Sequence, residues 1–195
     1  MPYRTGAFRE GGVYHVYNRG ASRLTIFPDD DNFEYFIRLL HHHADKRHIG
    51  IMCYCLMPNH FHMLVRQGAD TTISNMMQGL CSAYTQALNR RIERKGTLFE
   101  GRFKFREVCD DADLVQLMRY IHLNPVRAHL SSHAREWQAS DCNAWLLRVP
   151  RNRIRSSEFE RVQGYRRIFG LPSAEEYGTL LASLELPESQ GHSGS

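Results

Sequence analysis

The stretch Met57-Pro58-Asn59-His60-Phe61-His62-Met63-Leu64-Val65 decides how the chain folds. In a strand, side chains alternate between two faces, and residues i and i+2 share a face about 6.5–7 Å apart. Phe61, Met63 and Val65 therefore turn to a core while His60 and His62 share the other side. The preceding run IMCYCLM (residues 51–57) is a second strand, and Pro58-Asn59 between them signals a hairpin. Upstream, VYHVYNR (Val13–Arg19) is β-branched and aromatic and stops at Gly20, so it reads as a first strand. Asp29-Asp30-Asp31 then offers a cap and dipole-favoured charge to a helix over residues 32–47, with Phe33, Phe36, Ile37, Leu40 and Ala44 at helical spacing. Downstream, Ile73, Met76, Met77, Leu80, Tyr84, Ala87 and Leu88 mark a long helix over residues 72–94, ended by Gly96. A basic loop covers residues 97–105 and a short strand residues 105–109. Asp110-Asp111 caps a helix that runs to Asn124, where Pro125 interrupts it. The order β-α-β-β-α-β predicts an α+β, ferredoxin-like (split βαβ) antiparallel sheet with helices on one face. Past Trp137 the pattern weakens into an Arg-rich helical extension, and a disordered end is expected.

With 195 residues, 42% hydrophobic and 24% charged, the chain is too apolar to be disordered and long enough for a substantial core. No apolar run approaches the roughly 18–20 residues of a membrane span. The first residues, MPYRTGAFREGG, lack an apolar signal region, and the five cysteines form no C-x-x-C pair. A reduced, cytoplasmic globular protein is expected. Residues 90–106 carry seven cations against two anions, a local excess larger than the net +4 of the whole chain. Residues 148–167 carry seven arginines against two glutamates, and residues 173–195 have four glutamates and no Lys or Arg. Clustered cations with interleaved aromatics (Phe99, Phe103, Phe105, Phe159, Tyr165) suit a phosphate backbone with stacked bases, although basic solvated helix faces would give the same count.

Two imidazoles on one strand face can converge on a divalent cation. In a chain with 11 histidines they are equally a pair on a solvated sheet face. Tyr120 and Asn124 are spaced i, i+4 and neighbour each other on a helix, where Tyr120 is also readable as an edge-of-core aromatic. Since Asn124 precedes a proline, it is expected at a distorted last turn. A two-residue turn at Pro58-Asn59 would set Cys55 opposite His62 and allow a soft Cys55–His60–His62 site for Zn²⁺, against the plainer reading of Cys55 as a small buried hydrophobe. His41-His42-His43 cannot converge on one ion, because consecutive helical residues point about 100° apart. His122 falls on a different helix face from Tyr120 and is left outside the site.

Taken together, the H-hydrophobic-H pair, the later tyrosine and the polar residue four positions on resemble the HUH superfamily of single-strand DNA nucleases. Within it, the single-tyrosine transposases and the REP-associated tyrosine transposases are most similar. Four stretches carry the resemblance in the family's order: YHVYNRG, MPNHFHMLV, GTLFEGRFK and RYIHLNPVRA. It implies that His60, His62 and Asn124 hold Mg²⁺ or Mn²⁺ and that Tyr120 is the nucleophile. Attack would leave a 5′-phosphotyrosine and a free 3′-OH, keeping the bond energy for rejoining. The implied substrate is single-stranded DNA whose repetitive extragenic palindromes fold as hairpins, with no membrane partner, a cytoplasmic, nucleoid-associated location and a monomeric state, a dimer remaining open. Two imidazoles and an amide are neutral donors better suited to Mn²⁺ than to Mg²⁺, so firm metal binding is expected only with DNA present. Arg102, Lys104 and Arg106, supported by Arg90, Arg91 and Arg127, are the expected DNA contacts. The expected divisions are a nuclease domain over residues 1–135, a basic extension over 136–180 and a disordered acidic tail over 181–195. A catalytically silent hairpin-binding protein and an RNA-binding module on the same fold remain as alternatives.

Overall fold

The computed structural model describes residues 8–69, 72–146 and 156–184. Four antiparallel strands, β1 (Val13–Arg19), β2 (Gly50–Met57), β3 (His60–Arg66) and β4 (Lys104–Glu107), form one sheet in the order β2-β3-β1-β4. This is the ferredoxin-like sheet that the element order predicts. The β2–β3 hairpin has the register of a two-residue turn, with Met57 opposite His60 and Cys55 opposite His62.

Two crossover helices, α1 (Asp30–Asp45) and α2 (Ile73–Arg91), lie on one face of the sheet. Asp29 caps α1 by accepting from the Asn32 amide, and Thr72 caps α2 by accepting from the Asn75 amide. Phe36, Leu40, Met76, Met77 and Tyr84 pack there on Val16, Phe61, Met63 and Val65. α2 stops at Arg91, short of the glycine expected to end it: Glu93 already takes a left-handed φ of 50°, ahead of Gly96 at 94°. Phe99, Phe103 and Phe105 belong to this core or its rim. Phe99 is buried, and Phe8 stacks on Phe103 and lies 4.5 Å from Phe105, so these rings close a sheet edge rather than standing open as a stacking platform.

The opposite face carries a second core. α3 (Asp111–His122), capped by Asp110, and the short α4 (Asn124–Arg127) cover β2 and β3, followed by α5 (Cys142–Trp145), α6 (Ser156–Phe169) and α7 (Ala174–Ala182). A bulge in β2 lets Met52 and Cys53 both face this side, where Leu64, Leu117, Met118, Ile121, Trp145, Val162, Tyr177 and Leu181 meet them. The helical extension is thus part of the core of the sheet. Of the acidic tail expected over 181–195, Leu181 is buried in α7, and residues 185–195 lie outside the described residues. Of the second basic stretch, residues 148–155 lie outside them too, and Arg166 is turned inward, its guanidinium bonding the carbonyls of Pro172 and Trp145. Among the described residues no helix is long and apolar enough to cross a membrane.

Candidate active site

α3 covers the β2–β3 half of its face and leaves the β1–β4 half open. Strand alternation puts His15, Tyr17 and Arg19 of β1 on this open side, beside His62 and His60 of β3, since Tyr17 pairs with His62 and Arg19 with His60. Lys104 and Arg106 of β4 stand opposite Tyr17 and His15. The result is a cleft of about 420 Å³ lined by Tyr17, Asn18, Arg19, Arg23, Asn59, His60, His62, Glu100 and Lys104. Gly20 ends β1 at its rim because nothing larger fits: a Cβ there would lie 2.0 Å from the Leu24 carbonyl oxygen.

The two sequence-predicted histidines are neighbours, with ring centroids 5.2 Å apart. His62 Nδ1 lies 2.9 Å from His15 Nε2, both rings buried, and His15 stacks on Tyr17 at 5.0 Å. With the proton on His62 Nδ1, donated to His15, the His62 Nε2 lone pair is left bare. Burial pushes His62 well below the ordinary imidazole range, reinforced by His15 and His60, and burial lowers His15 to about 4, helped by Arg106. Burial lowers His60 too, partly offset by a hydrogen bond to the Asn124 side chain. All three rings are uncharged at neutral pH, as ligands of a cation must be.

Tyr120, on the last turn of α3, reaches over these rings. Its ring stands edge-on to His62 at 5.4 Å and to His15 at 6.2 Å, and the residue is 36% exposed. The Arg127 guanidinium lies 5.3 Å from the Tyr120 ring centroid. α3 does not run through Asn124: it ends at His122, Leu123 forms the joint, and Asn124 opens α4 as a helical residue, with Pro125 in a first turn where its missing amide costs no helical hydrogen bond. Asn124 Nδ2 donates to the Tyr120 carbonyl (2.9 Å), which leaves its amide oxygen to face His60. His60 Nδ1 is 2.7 Å from Asn59 Oδ1 and so carries the ring proton in the neutral form. Its Nε2 lone pair and the Asn124 oxygen are then two acceptors brought together, an arrangement that a proton or a cation completes. The donor set of His60, His62 and Asn124 fits a divalent cation on this ground.

The six basic residues expected to meet DNA are scattered. Lys104 lines the cleft and Arg127 flanks Tyr120, while Arg102 is exposed in the turn after Gly101. Arg106 is engaged by both carboxylate oxygens of Asp113 at 2.7 and 2.8 Å, tying β4 to α3. Arg90 and Arg91 ride on α2, in the layer across the sheet, with Arg91 paired to Asp29. His15, Tyr17, Arg19, Arg23, Asn59 and Glu100 were not singled out from the sequence, yet the alternation of VYHVYNR already sets His15, Tyr17 and Arg19 on one face. Arg19 forms a two-pronged ion pair with Glu100, whose carboxyl it holds below the usual carboxylate range.

The soft-metal alternative fails on chemistry rather than on register. Cys55 does lie opposite His62, but it is fully buried, its thiol is pushed well up by burial, and it contacts Met57 Sδ. Among the described residues no group of three His, Cys, Asp or Glu side chains is placed to hold a metal ion.

In comparison with solved structures, the chain is similar to a REP-associated tyrosine transposase bound to a REP hairpin, with a TM-score of 0.66 and 15% identity over 80% of this chain and 93% of that one. A protein of Deinococcus radiodurans R1 described as a candidate transposase is more distant, with a TM-score of 0.43 and 16% identity over 60% of this chain and 95% of that one. No curated protein sequence matches the chain. Residues 10–124 match the family described as IS200-like transposases. That segment is more than half of the chain, opens just before β1 and closes on Asn124, and by it the protein belongs to the IS200-like transposase family.

Proposed function

We propose that this protein is a metal-dependent single-strand DNA endonuclease and strand transferase that acts on REP hairpins through a phosphotyrosine at Tyr120. The observation that carries this reading is the meeting of the Tyr120 ring, from α3, with His62, from β3, beside the open and partly basic cleft that His62 and its neighbour His60 line. In the reaction the Tyr120 phenolic oxygen attacks the scissile phosphorus and the bond from phosphorus to the 3′ oxygen breaks. The 5′ phosphate stays on tyrosine, and the released 3′-OH takes up a proton. Because the phosphodiester is exchanged rather than hydrolysed, the same 3′-OH or another can reverse the step. His60, His62 and Asn124 would hold the divalent cation, which supplies charge neutralisation at the phosphate. Lys104, which lines the cleft, and Arg127, beside the Tyr120 ring, would neutralise the phosphates of the strand. The hairpin substrate is supported by the REP hairpin in the similar solved structure.

The test is cleavage of a 5′-labelled single-stranded REP hairpin oligonucleotide, with an RNA counterpart in parallel. Wild-type protein in Mn²⁺ is expected to release a labelled 5′ fragment and to carry the 3′ fragment as a protease-sensitive adduct. Tyr120→Phe or a chelator should abolish both, by a factor of about 10³ or more. Binding of DNA without any adduct would replace this reading with a silent hairpin-binding protein, and preference for the RNA with an RNA-binding module.

A further inference from the structure

His122 lies between the proposed nucleophile and the proposed third ligand, two residues from each. Two helical steps amount to about 200° of rotation, so a side chain at 122 points away from the one at 120. The exposures agree, His122 being 0% and Tyr120 36% accessible. A buried apolar residue would fill this place equally well, yet both ring nitrogens of His122 are engaged. Nε2 lies 2.9 Å from Asp141 Oδ1, and Nδ1 lies 2.7 Å from the Tyr177 hydroxyl. Asp141 is itself 0% exposed and is fastened to the sheet, because the same Oδ1 accepts from the Tyr54 amide of β2 at 2.8 Å. The segment leading to it runs along the outer edge of β2, with Leu56 N donating to Ala139 O at 2.9 Å, a Cys55–Ser140 bridge, and Trp137 Nε1 donating to Leu56 O at 2.8 Å. Arg161 of α6 approaches the second oxygen of Asp141 at 3.5 Å.

We infer that Asp141 and Tyr177, acting through His122, are positioning residues that set the roll of α3 and so aim Tyr120 and Asn124 at His62 and His60. Apolar packing under α3, by Leu117, Met118 and Ile121, is non-directional and holds the helix against the sheet without setting its rotation. Two hydrogen bonds leaving opposite sides of one ring, to a strand-anchored carboxylate and to a second helix, are directional and set it. In the neutral ring Nε2–H donates to Asp141, and Nδ1 accepts from Tyr177, whose hydroxyl burial keeps protonated. Asp141 and Tyr177 both lie beyond residue 124, where the family match ends, so the C-terminal segment of this chain supplies the alignment. The inference rests on the proposed role of Tyr120.

The experiment uses the full-length protein with Tyr177→Phe, Asp141→Asn, His122→Gln and His122→Leu. Single-turnover cleavage of the REP hairpin oligonucleotide in Mn²⁺, its Kd and the Tm are measured together with hydrogen exchange over residues 117–127. Tyr177→Phe and Asp141→Asn should slow cleavage by about 10–100-fold with Kd changed by less than about twofold, and should speed exchange at the end of α3. His122→Gln, which keeps a donor and an acceptor, should recover part of the rate lost in His122→Leu. Cleavage rates within about twofold of wild type, or rates that fall only in step with the unfolded fraction, would overturn the positioning role. If the wild-type protein forms no Tyr120 adduct, the proposed activity fails separately, and the exchange measurement decides alone: unchanged protection in Tyr177→Phe and Asp141→Asn refutes the inference.

Discussion

At the scale of single residues, the site depends on which nitrogen of each imidazole is left bare. In the proposed metal site His15 bears on this for His62: the 2.9 Å contact to Nδ1 holds the ring's orientation, and with the proton on Nδ1 it leaves Nε2 bare. A partner behind a ligating histidine commonly contributes about 10–100-fold to metal affinity or activity. His15→Phe keeps the stacking on Tyr17 and removes the nitrogen. It is expected to raise the Mn²⁺ concentration for half-maximal cleavage by about 10-fold while leaving hairpin Kd within about twofold. A titration curve superimposable on wild type would show that His62 needs no such partner. Cys55 shows the opposite case, a residue in the right register whose burial removes it from chemistry.

At the scale of elements, α3 carries both Tyr120 and Asn124, and three ties hold it. Asp110 caps its start by accepting from the Asp113 amide, Arg106 grips Asp113 from β4, and the His122 pair anchors its end. The Arg106 guanidinium holds the Asp113 carboxyl below the usual carboxylate range, with the Cys109 amide adding to the effect. A carboxyl with a depressed folded pKa stabilises the fold above its unfolded value, and the contribution is lost as pH falls through the folded value. The Tm of wild type should therefore exceed that of Asp113→Asn by a constant margin above about pH 5, and the margin should shrink below about pH 4. For a partly exposed pair the margin corresponds to roughly 0.5–1 kcal/mol. Thermal melts of both proteins from pH 3 to 7 check this, and a margin independent of pH would assign the difference to something other than the ion pair.

At the scale of the whole molecule, one sheet separates two cores, and the second is completed by the C-terminal helices. Val162, Leu171, Tyr177 and Leu181 are buried against residues of β2, β3 and α3. Removing the chain after residue 146 would strip these side chains, each stabilising by about 1.5–3 kcal/mol when fully buried. The sum is comparable to the roughly 5–15 kcal/mol that holds an ordinary domain together. The truncated chain is expected to lose its cooperative melt and to bind a hydrophobic dye, as followed by circular dichroism and fluorescence. A truncated chain that melts like wild type would show that residues 1–146 fold without the C-terminal helices.

What the sequence determined by itself is what local rules govern: the four strands, three of the helices, the carboxylate caps Asp29 and Asp110, and the shared face of His60 and His62. Alternation and helical periodicity are properties of the chain alone, and the motif order around them carried the family. Helix ends were less legible, because the left-handed turn at Glu93 competes with Gly96 within a few residues. The tertiary structure alone decided which charges are available and which are taken. Arg106 and Arg91 belong to one basic cluster, but Asp113 takes the first across the turn from β4 to α3, and Asp29 reaches the second from 62 positions away. It also decided that His15 backs His62, and that His122, left aside as facing the wrong way, joins Asp141 and Tyr177 in the second core. These are pairings between residues 19 to 55 positions apart, or 47 for His15 and His62. No local pattern encodes such contacts, because they arise from strand register and the docking of α3 and α7 on the far side of the sheet.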